Sequence, residues 1–194
     1  MAEIIKEPFK RCLIITNYRV GSTYFIRKNA EHHGVTCGFE YVNDHGYSKA
    51  LHFCKNTPNW IIKVMPDQLK HNIKIYETII QYTDKIVYLY RQNFTAQAKS
   101  WIAMNKLGDW GETRQHPNDR PLHHNVNVDQ NFCDKWTKIL IDNYNSIQQI
   151  YKRYPGDIHC FEDFTTYLPY KRIYNWNYEP RIPHYDVENI FKEQ

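Results

Sequence analysis

Arg19, Gly21, Ser22 and Thr23 stand in the stretch CLIITNYRVGSTYF, where an apolar run gives way to a turn and then to residues fit to open a helix. Glycine lets a ligand approach the backbone closely, two hydroxyls follow it, and the first N–H groups of a helix have no partner inside it. With the positive end of the helix dipole, these groups make a cradle for an anion. Arg19 adds a permanent charge in a planar fork that matches phosphate or sulfate oxygens. Taken alone, the glycine–serine–threonine run also describes an ordinary strand–helix turn with a capping serine. An ATP-type phosphate loop needs G-x-x-x-x-G-K-[ST]; here no earlier glycine stands at that spacing and no lysine follows Gly21, which speaks against an NTPase or kinase.

A second set lies in KIVYLYRQNFTAQAKSW, again an apolar run leading into helix-forming residues. Arg91 stands where the run ends and Ser100 nine positions later. At 1.5 Å per residue, Ser100 lies about 8–10 Å along the predicted helix. In open α/β sheets, ligands sit outside the carboxyl ends of the strands, so Arg91 and Arg19 are expected to face one crevice. The plain alternatives are a surface ion pair for Arg91 and a solvated helix position for Ser100.

Both sets require strands that end together. Four apolar runs, Cys12–Thr16, Trp60–Met65, Lys85–Tyr90 and Asp157–Phe161, are nearly continuous rather than alternating, which predicts a parallel sheet covered on both faces. Helical patterns separate them. Leu69, Ile73, Tyr76 and Ile80 make one apolar stripe; Phe132, Trp136, Leu140, Tyr144, Ile147, Tyr151 and Tyr154 make a longer one that stops at Pro155-Gly156. Strand–helix alternation predicts an α/β fold of three αβα layers with a central parallel sheet. The stretch Gly108–Val128 lacks periodicity and is expected to be a long loop or lid, and residues 166–194 a C-terminal strap around a core of about 11–165.

The 194 residues suit a single domain, and 15% aromatic content is ample for a core. A net charge of +4 is too small to name a partner. Five cysteines, an odd number with no C-x-x-C pair, predict reduced, buried thiols and a cytoplasmic protein. MAEIIKEPFKR has no apolar stretch of signal-peptide length and no run approaches a membrane span, so no membrane partner is expected. The histidine pairs 32–33 and 123–124 lack further ligands at metal spacing, and no metal is expected. Trp101, Trp110 and Trp176 could stack on adenine or sugar, although core packing is the default for each.

The two arginine sets together resemble the sulfotransferase superfamily: R-V-G-S-T its 5'-phosphosulfate loop, and Arg91 with Ser100 its 3'-phosphate motif. R-Q-N-F-T-A-Q-A-K-S is most similar to the bacterial trehalose 2-sulfotransferase and lipopolysaccharide-type carbohydrate sulfotransferases, where R-x-D-x-x-A-Q-A-x-S is typical; Asn93 stands in place of the acid. GVTCGFEYV, WIIKVMPDQL and HCFEDF resemble further segments of that family in the same order, over residues 11–165.

The resemblance implies a P-loop-like sulfotransferase fold and the donor 3'-phosphoadenosine-5'-phosphosulfate, leaving 3',5'-ADP as product. The acceptor would be a small-molecule or glycan hydroxyl. Arg19 would stabilise the sulfuryl group, Gly21, Ser22 and Thr23 would hold the 5'-phosphate, and Arg91 and Ser100 the 3'-phosphate. Glu40 would be the general base, with His45 and His116 as alternatives, since histidine titrates near neutrality. Lys63, inside a strand run, could contact the cofactor or substrate, although a snorkelling strand lysine is the favoured reading. Two other readings stay open: a P-loop-class nucleotide or nucleoside kinase, and a non-catalytic nucleotide- or nucleic-acid-binding protein, for which YKRIYNWNYEPR in the tail is the sole hint. Otherwise no nucleic-acid partner is expected, and the oligomeric state, a homodimer included, is left open.

Overall fold

The computed structural model describes residues 4–38, 40–108, 122–163 and 172–192. Strands β1 (Arg11–Thr16), β2 (Thr36–Cys37), β3 (Trp60–Val64), β4 (Lys85–Tyr90) and β6 (Asp157–Cys160) form a parallel sheet in the order β2-β3-β1-β4-β6. β5 (Leu122–Val126) and β7 (Arg172–Trp176) pair in parallel as a separate ribbon. The helices are α1 (Ser22–His33), α2 (Tyr41–His45), α3 (Tyr47–Asn56), α4 (Ile73–Ile80), α5 (Phe94–Leu107) and α6 (Gln130–Arg153).

Alternate residues of the strands enter two cores, which is why the runs read as continuous. Cys12, Ile14, Ile61, Val87 and Leu89 pack under α1 with Ile5, Phe9, Phe25 and Ile26. Leu13, Ile15, Ile62, Val64 and Tyr88 pack against α3, α4, α5 and α6 on the other face. The result is a three-layer α/β arrangement with helices on both sides of the parallel sheet. The chain leaves β1 through α1 toward the β2 edge and leaves β4 through α5 toward the β6 edge. A topological switch point therefore lies between β1 and β4, where α/β sheets open a crevice at the carboxyl ends of their strands.

Two expectations change. The loop foreseen over 108–128 contains β5, which pairs with tail strand β7; the register Leu122–Arg172 to Val126–Trp176 joins segments about fifty residues apart that carry no local strand pattern. The helix stripe beginning at Leu69 is interrupted. Pro66–Leu69 forms a 3₁₀ turn, Lys70 and His71 both adopt φ near 51°, and α4 starts only after Asn72, whose Oδ1 accepts the Lys74 N–H at 3.1 Å. The α6 boundaries follow from a similar cap, Asp129 Oδ1 accepting the Phe132 N–H at 2.8 Å, and from the Pro155-Gly156 stop. α2 and α3 have no counterpart in the sequence expectations.

Gly156 brings the chain from α6 into β6 against β4. A Cβ at this position would meet the Ile86 carbonyl oxygen at 2.4 Å, so any larger residue must push the two strands apart. Gly156→Ala is expected to lower stability by roughly 1–3 kcal/mol, read as a drop in thermal midpoint against wild type, with secondary structure retained below the transition.

Candidate functional site

Asn17, wholly buried, begins the turn after β1 and ties it to α6. Its Nδ2 donates to the Leu140 carbonyl at 2.8 Å, and its Oδ1 accepts from the Tyr18 N–H at 2.9 Å and from Asn143 Nδ2 at 3.2 Å. Asn143 accepts from the Asp67 N–H at 3.1 Å and donates to Asp67 Oδ1 at 3.3 Å, which fixes the turn after β3. Tyr18 closes the circuit. Its hydroxyl donates to Asp67 Oδ2 at 2.7 Å and its carbonyl accepts from Gln97 of α5 at 2.7 Å. Gln97 in turn accepts from Tyr144 at 2.8 Å, and the Tyr144 hydroxyl accepts from the Arg91 N–H at 3.4 Å. The turns after β1, β3 and β4 are thus held in one frame by side chains that burial obliges to pair. Burial, and then the Asp67 carboxylate, push the Tyr18 hydroxyl well above its ordinary pKa, so it stays a donor.

On this frame the turn Tyr18–Gly21 presents Arg19 in a left-handed conformation, φ 60°, and Gly21 at φ 67° as the N-cap of α1. Gly21 offers no side-chain cap to the helix. Arg19 reaches across to α5 and donates from Nε to Ser100 Oγ at 3.0 Å. Arg91 Nη1 lies 3.5 Å from the Arg19 carbonyl oxygen, so the two arginines and Ser100 border one place at the switch point. Arg91 and Ser100 were expected to share one phosphate; here the Ser100 hydroxyl accepts from Arg19, with Arg91 beside them.

Arg91 has a further setting. Its guanidinium lies 4.6 Å over the Phe161 ring, and its Nε is 3.7 Å from Glu162 Oε1, beyond hydrogen-bond reach. That buried Nε has no hydrogen-bond partner among the described residues. Burial lowers the guanidinium pKa from its ordinary value, with Glu162 opposing the shift. Glu162 itself accepts the N–H groups of Gln92 at 2.9 Å and Asn93 at 3.1 Å. Asn93 caps α5 by accepting the Ala96 N–H at 3.0 Å.

At the other side of the α1 entrance lies Lys63. The expectation of a snorkelling lysine is corrected: the residue is 3% exposed, because β3 is covered on both faces and its side chain runs along the α1 face to the sheet's carboxyl end. The ammonium is 2.8 Å from Glu40 Oε1, 3.1 Å from Thr23 Oγ1 and 3.3 Å from Ser22 Oγ. Gln68 Nε2 donates to Glu40 Oε2 at 3.2 Å. Glu40 thus stands beside the cradle with both oxygens engaged. A lysine one residue from the end of an otherwise apolar strand was the signal that could have identified this group.

The alternatives to Glu40 separate. His45 is exposed at the end of α2, and His116 lies outside the described residues, as does Trp110. Trp101 is core material, stacked on Tyr18 at 3.9 Å and edge-on to Trp136 at 5.6 Å. All five cysteines are free thiols, and among the described residues no three His, Cys, Asp or Glu side chains are grouped to hold a metal. No described helix is long and apolar enough to cross a membrane.

Two surface hollows lie away from this site. One of about 490 Å³ is at the amino ends of the strands, lined by Lys10, Arg11, Pro58 and Asp84 among others, where Asp84 already accepts the N–H groups of Lys10 and Arg11. One of about 260 Å³ lies between Lys106 and Phe132. Size favours the first; the grouped cations, with the Arg91 Nε lacking a hydrogen-bond partner among the described residues, favour the switch point, and chemistry decides. Comparisons with family models, curated proteins and solved structures found no match to this chain.

Burial acts to raise the Glu162 pKa, but the backbone N–H groups of Gln92 and Asn93 outweigh it, so the carboxyl sits below its ordinary value of 4.5. A lowered folded pKa contributes stability that is full above the unfolded value and is lost as pH falls through the folded one. Wild type is therefore expected to lose stability below about pH 4.5 more steeply than Glu162→Gln, measured by urea midpoints between pH 3 and 7. Parallel curves for the two proteins would contradict this.

Proposed function

We propose that the chain is a sulfotransferase that moves a sulfuryl group from 3'-phosphoadenosine-5'-phosphosulfate to a hydroxyl, with a carbohydrate as the favoured acceptor, on a P-loop-like fold. The observation that carries the reading is Arg91: a part-buried guanidinium whose buried Nε lacks a hydrogen-bond partner among the described residues, set beside Arg19 and Ser100 at the switch point. A buried unsatisfied donor is costly, and a phosphate oxygen at that place would satisfy it. The uncapped start of α1, with Ser22 and Thr23, is the matching place for the second anionic group.

Transfer at sulfur is in-line, and charge builds on the oxygen that joins sulfur to the departing 5'-phosphate. Arg19 stands where it can neutralise that charge, while the N–H groups and hydroxyls of the cradle hold the phosphate. Glu40, beside the same hydroxyls, takes the acceptor's proton as the new O–S bond forms. The acceptor proton thus ends on the carboxylate and the electron pair of the broken bond on the 5'-phosphate. Gln68 and Lys63 hold the Glu40 carboxylate still for this role.

One observation supports the kinase alternative. Lys63 supplies from β3 the ammonium that the loop sequence lacks after Gly21. Nucleotide preference separates the two readings, because a ligand that binds only the folded state raises its stability with concentration over Kd. The sulfotransferase reading expects a larger thermal shift with 3',5'-ADP than with ADP or ATP–Mg; an equal or larger shift with ATP–Mg selects the kinase.

The residue roles give a second test. Arg91→Ala is expected to weaken 3',5'-ADP by about 1.5–3 kcal/mol, the loss of a charge-assisted contact. Glu40→Gln is expected to retain 3',5'-ADP affinity and lose roughly 10²–10⁴-fold in turnover of labelled donor with a glycan panel. Normal turnover in Glu40→Gln would move the base elsewhere.

A further inference from the structure

An ammonium has three donors and no acceptor, whereas a hydroxyl has one donor and two acceptor lone pairs. Lys63 meets three oxygens: Glu40 Oε1 at 2.8 Å, Thr23 Oγ1 at 3.1 Å and Ser22 Oγ at 3.3 Å. Its donors are fully used. Both hydroxyls therefore receive a hydrogen bond from Lys63, and neither can direct its own hydrogen back at the ammonium. Their O–H bonds must turn to other acceptors. Glu40 balances the charge from the far side, so the arrangement is sustained inside the protein with Lys63 only 3% exposed.

We propose that Lys63 is a positioning residue that locks the Ser22 and Thr23 hydroxyls as hydrogen-bond donors to an oxyanion at the start of α1. The inference rests on reading that place as the phosphosulfate loop. It adds the state in which the loop is held. With Lys63 in place, the cradle is built from donors: the helix N–H groups, the two hydroxyls and Arg19. Such a set suits an oxyanion whose oxygens carry no proton, as in a sulfate or the non-bridging oxygens of a phosphosulfate anhydride. Without the ammonium, each hydroxyl is free to spend its hydrogen within the protein, and the cradle loses its bias.

A double-mutant cycle tests this, because coupling between Lys63 and the hydroxyls appears only if one acts through the other. Inorganic sulfate and 3',5'-ADP are the probes, titrated calorimetrically against the full chain. Lys63→Met is expected to weaken both by about tenfold or more in the native background, but by less than about threefold in Ser22→Ala/Thr23→Val, where no hydroxyl remains to be oriented. Removing Lys63 strands the Glu40 carboxylate, so Lys63→Met/Glu40→Gln is measured in parallel. Should the single variant not fold, this neutral pair replaces it in the cycle, with Glu40→Gln as its reference.

Equal losses in both backgrounds overturn the proposal, and so does unchanged affinity in Lys63→Met. Those outcomes leave the sulfotransferase reading intact if wild type still prefers 3',5'-ADP. Coupling seen with sulfate alone, in a chain that ignores 3',5'-ADP, upholds the role of Lys63 and sinks the sulfotransferase reading. Failure of wild type to bind either probe overturns both.

Discussion

The pairing of Asn17 and Asn143, both fully buried, is the interaction on which the rest of the molecule's carboxyl end depends. A buried amide without partners costs several kcal/mol by transfer scales, so two of them facing each other hold their geometry firmly. Through this pair, α6 grips the turn after β1; through Asp67 it grips the turn after β3; through Tyr144 and Gln97 it reaches Arg91 and α5. Helix α6 is thus more than a cover for the sheet. Its apolar stripe packs the core while two polar side chains within that stripe set the loops. The left-handed Arg19 follows from this frame, since a turn pinned at Asn17 and at Tyr18 has little freedom left at the next residue.

The charges obey the same economy of place. Three cations, Arg19, Lys63 and Arg91, converge at the ends of three adjacent strands, and two carboxylates, Glu40 and Glu162, stand behind them. Such an arrangement tolerates burial because each carboxylate is itself held by donors: Gln68 for Glu40, two backbone N–H groups for Glu162. The two carboxylates differ in what they support. Glu162 accepts from the chain at the start of α5 and stands beside Arg91. Glu40 lies next to the hydroxyls of the α1 turn. Three cations against two carboxylates leave the carboxyl end of these strands with a positive bias.

The fold was largely legible. Four of the five strands of the parallel sheet lie where continuous apolar runs placed them; for the inner strands β1, β3 and β4 the reason is burial on both faces, which leaves no polar alternation to blur their limits. α6 was legible from its stripe and from Pro155-Gly156, α5 and α1 from the turns that precede them. The ribbon β5–β7 was not. Its strands derive their pairing from each other across about fifty residues, and exposed side chains such as Asn125 and Asn175 break up the apolar pattern. α2, α3 and β2 are too short or too weakly patterned to stand out from the turns around them. Within the site, Arg19, Arg91 and Ser100 could be named from their positions relative to strand ends, yet which arginine meets Ser100 could not, since that depends on side-chain reach across two loops.

Residue order alone determined where the arginines and hydroxyls stand: after buried parallel strands, at the places where a helix start leaves N–H groups without a partner inside the helix. It did so because backbone geometry makes strand ends and helix starts predictable from local pattern. Tertiary structure alone decided who serves whom. Lys63 becomes the cation of the α1 entrance, Glu162 an internal partner of the α5 entrance, and Asn143 the brace of two loops, because β3, β6 and α6 bring them there from 41, 70 and 126 positions away. Such contacts arise from packing, and packing is fixed by the whole chain rather than by any stretch of it.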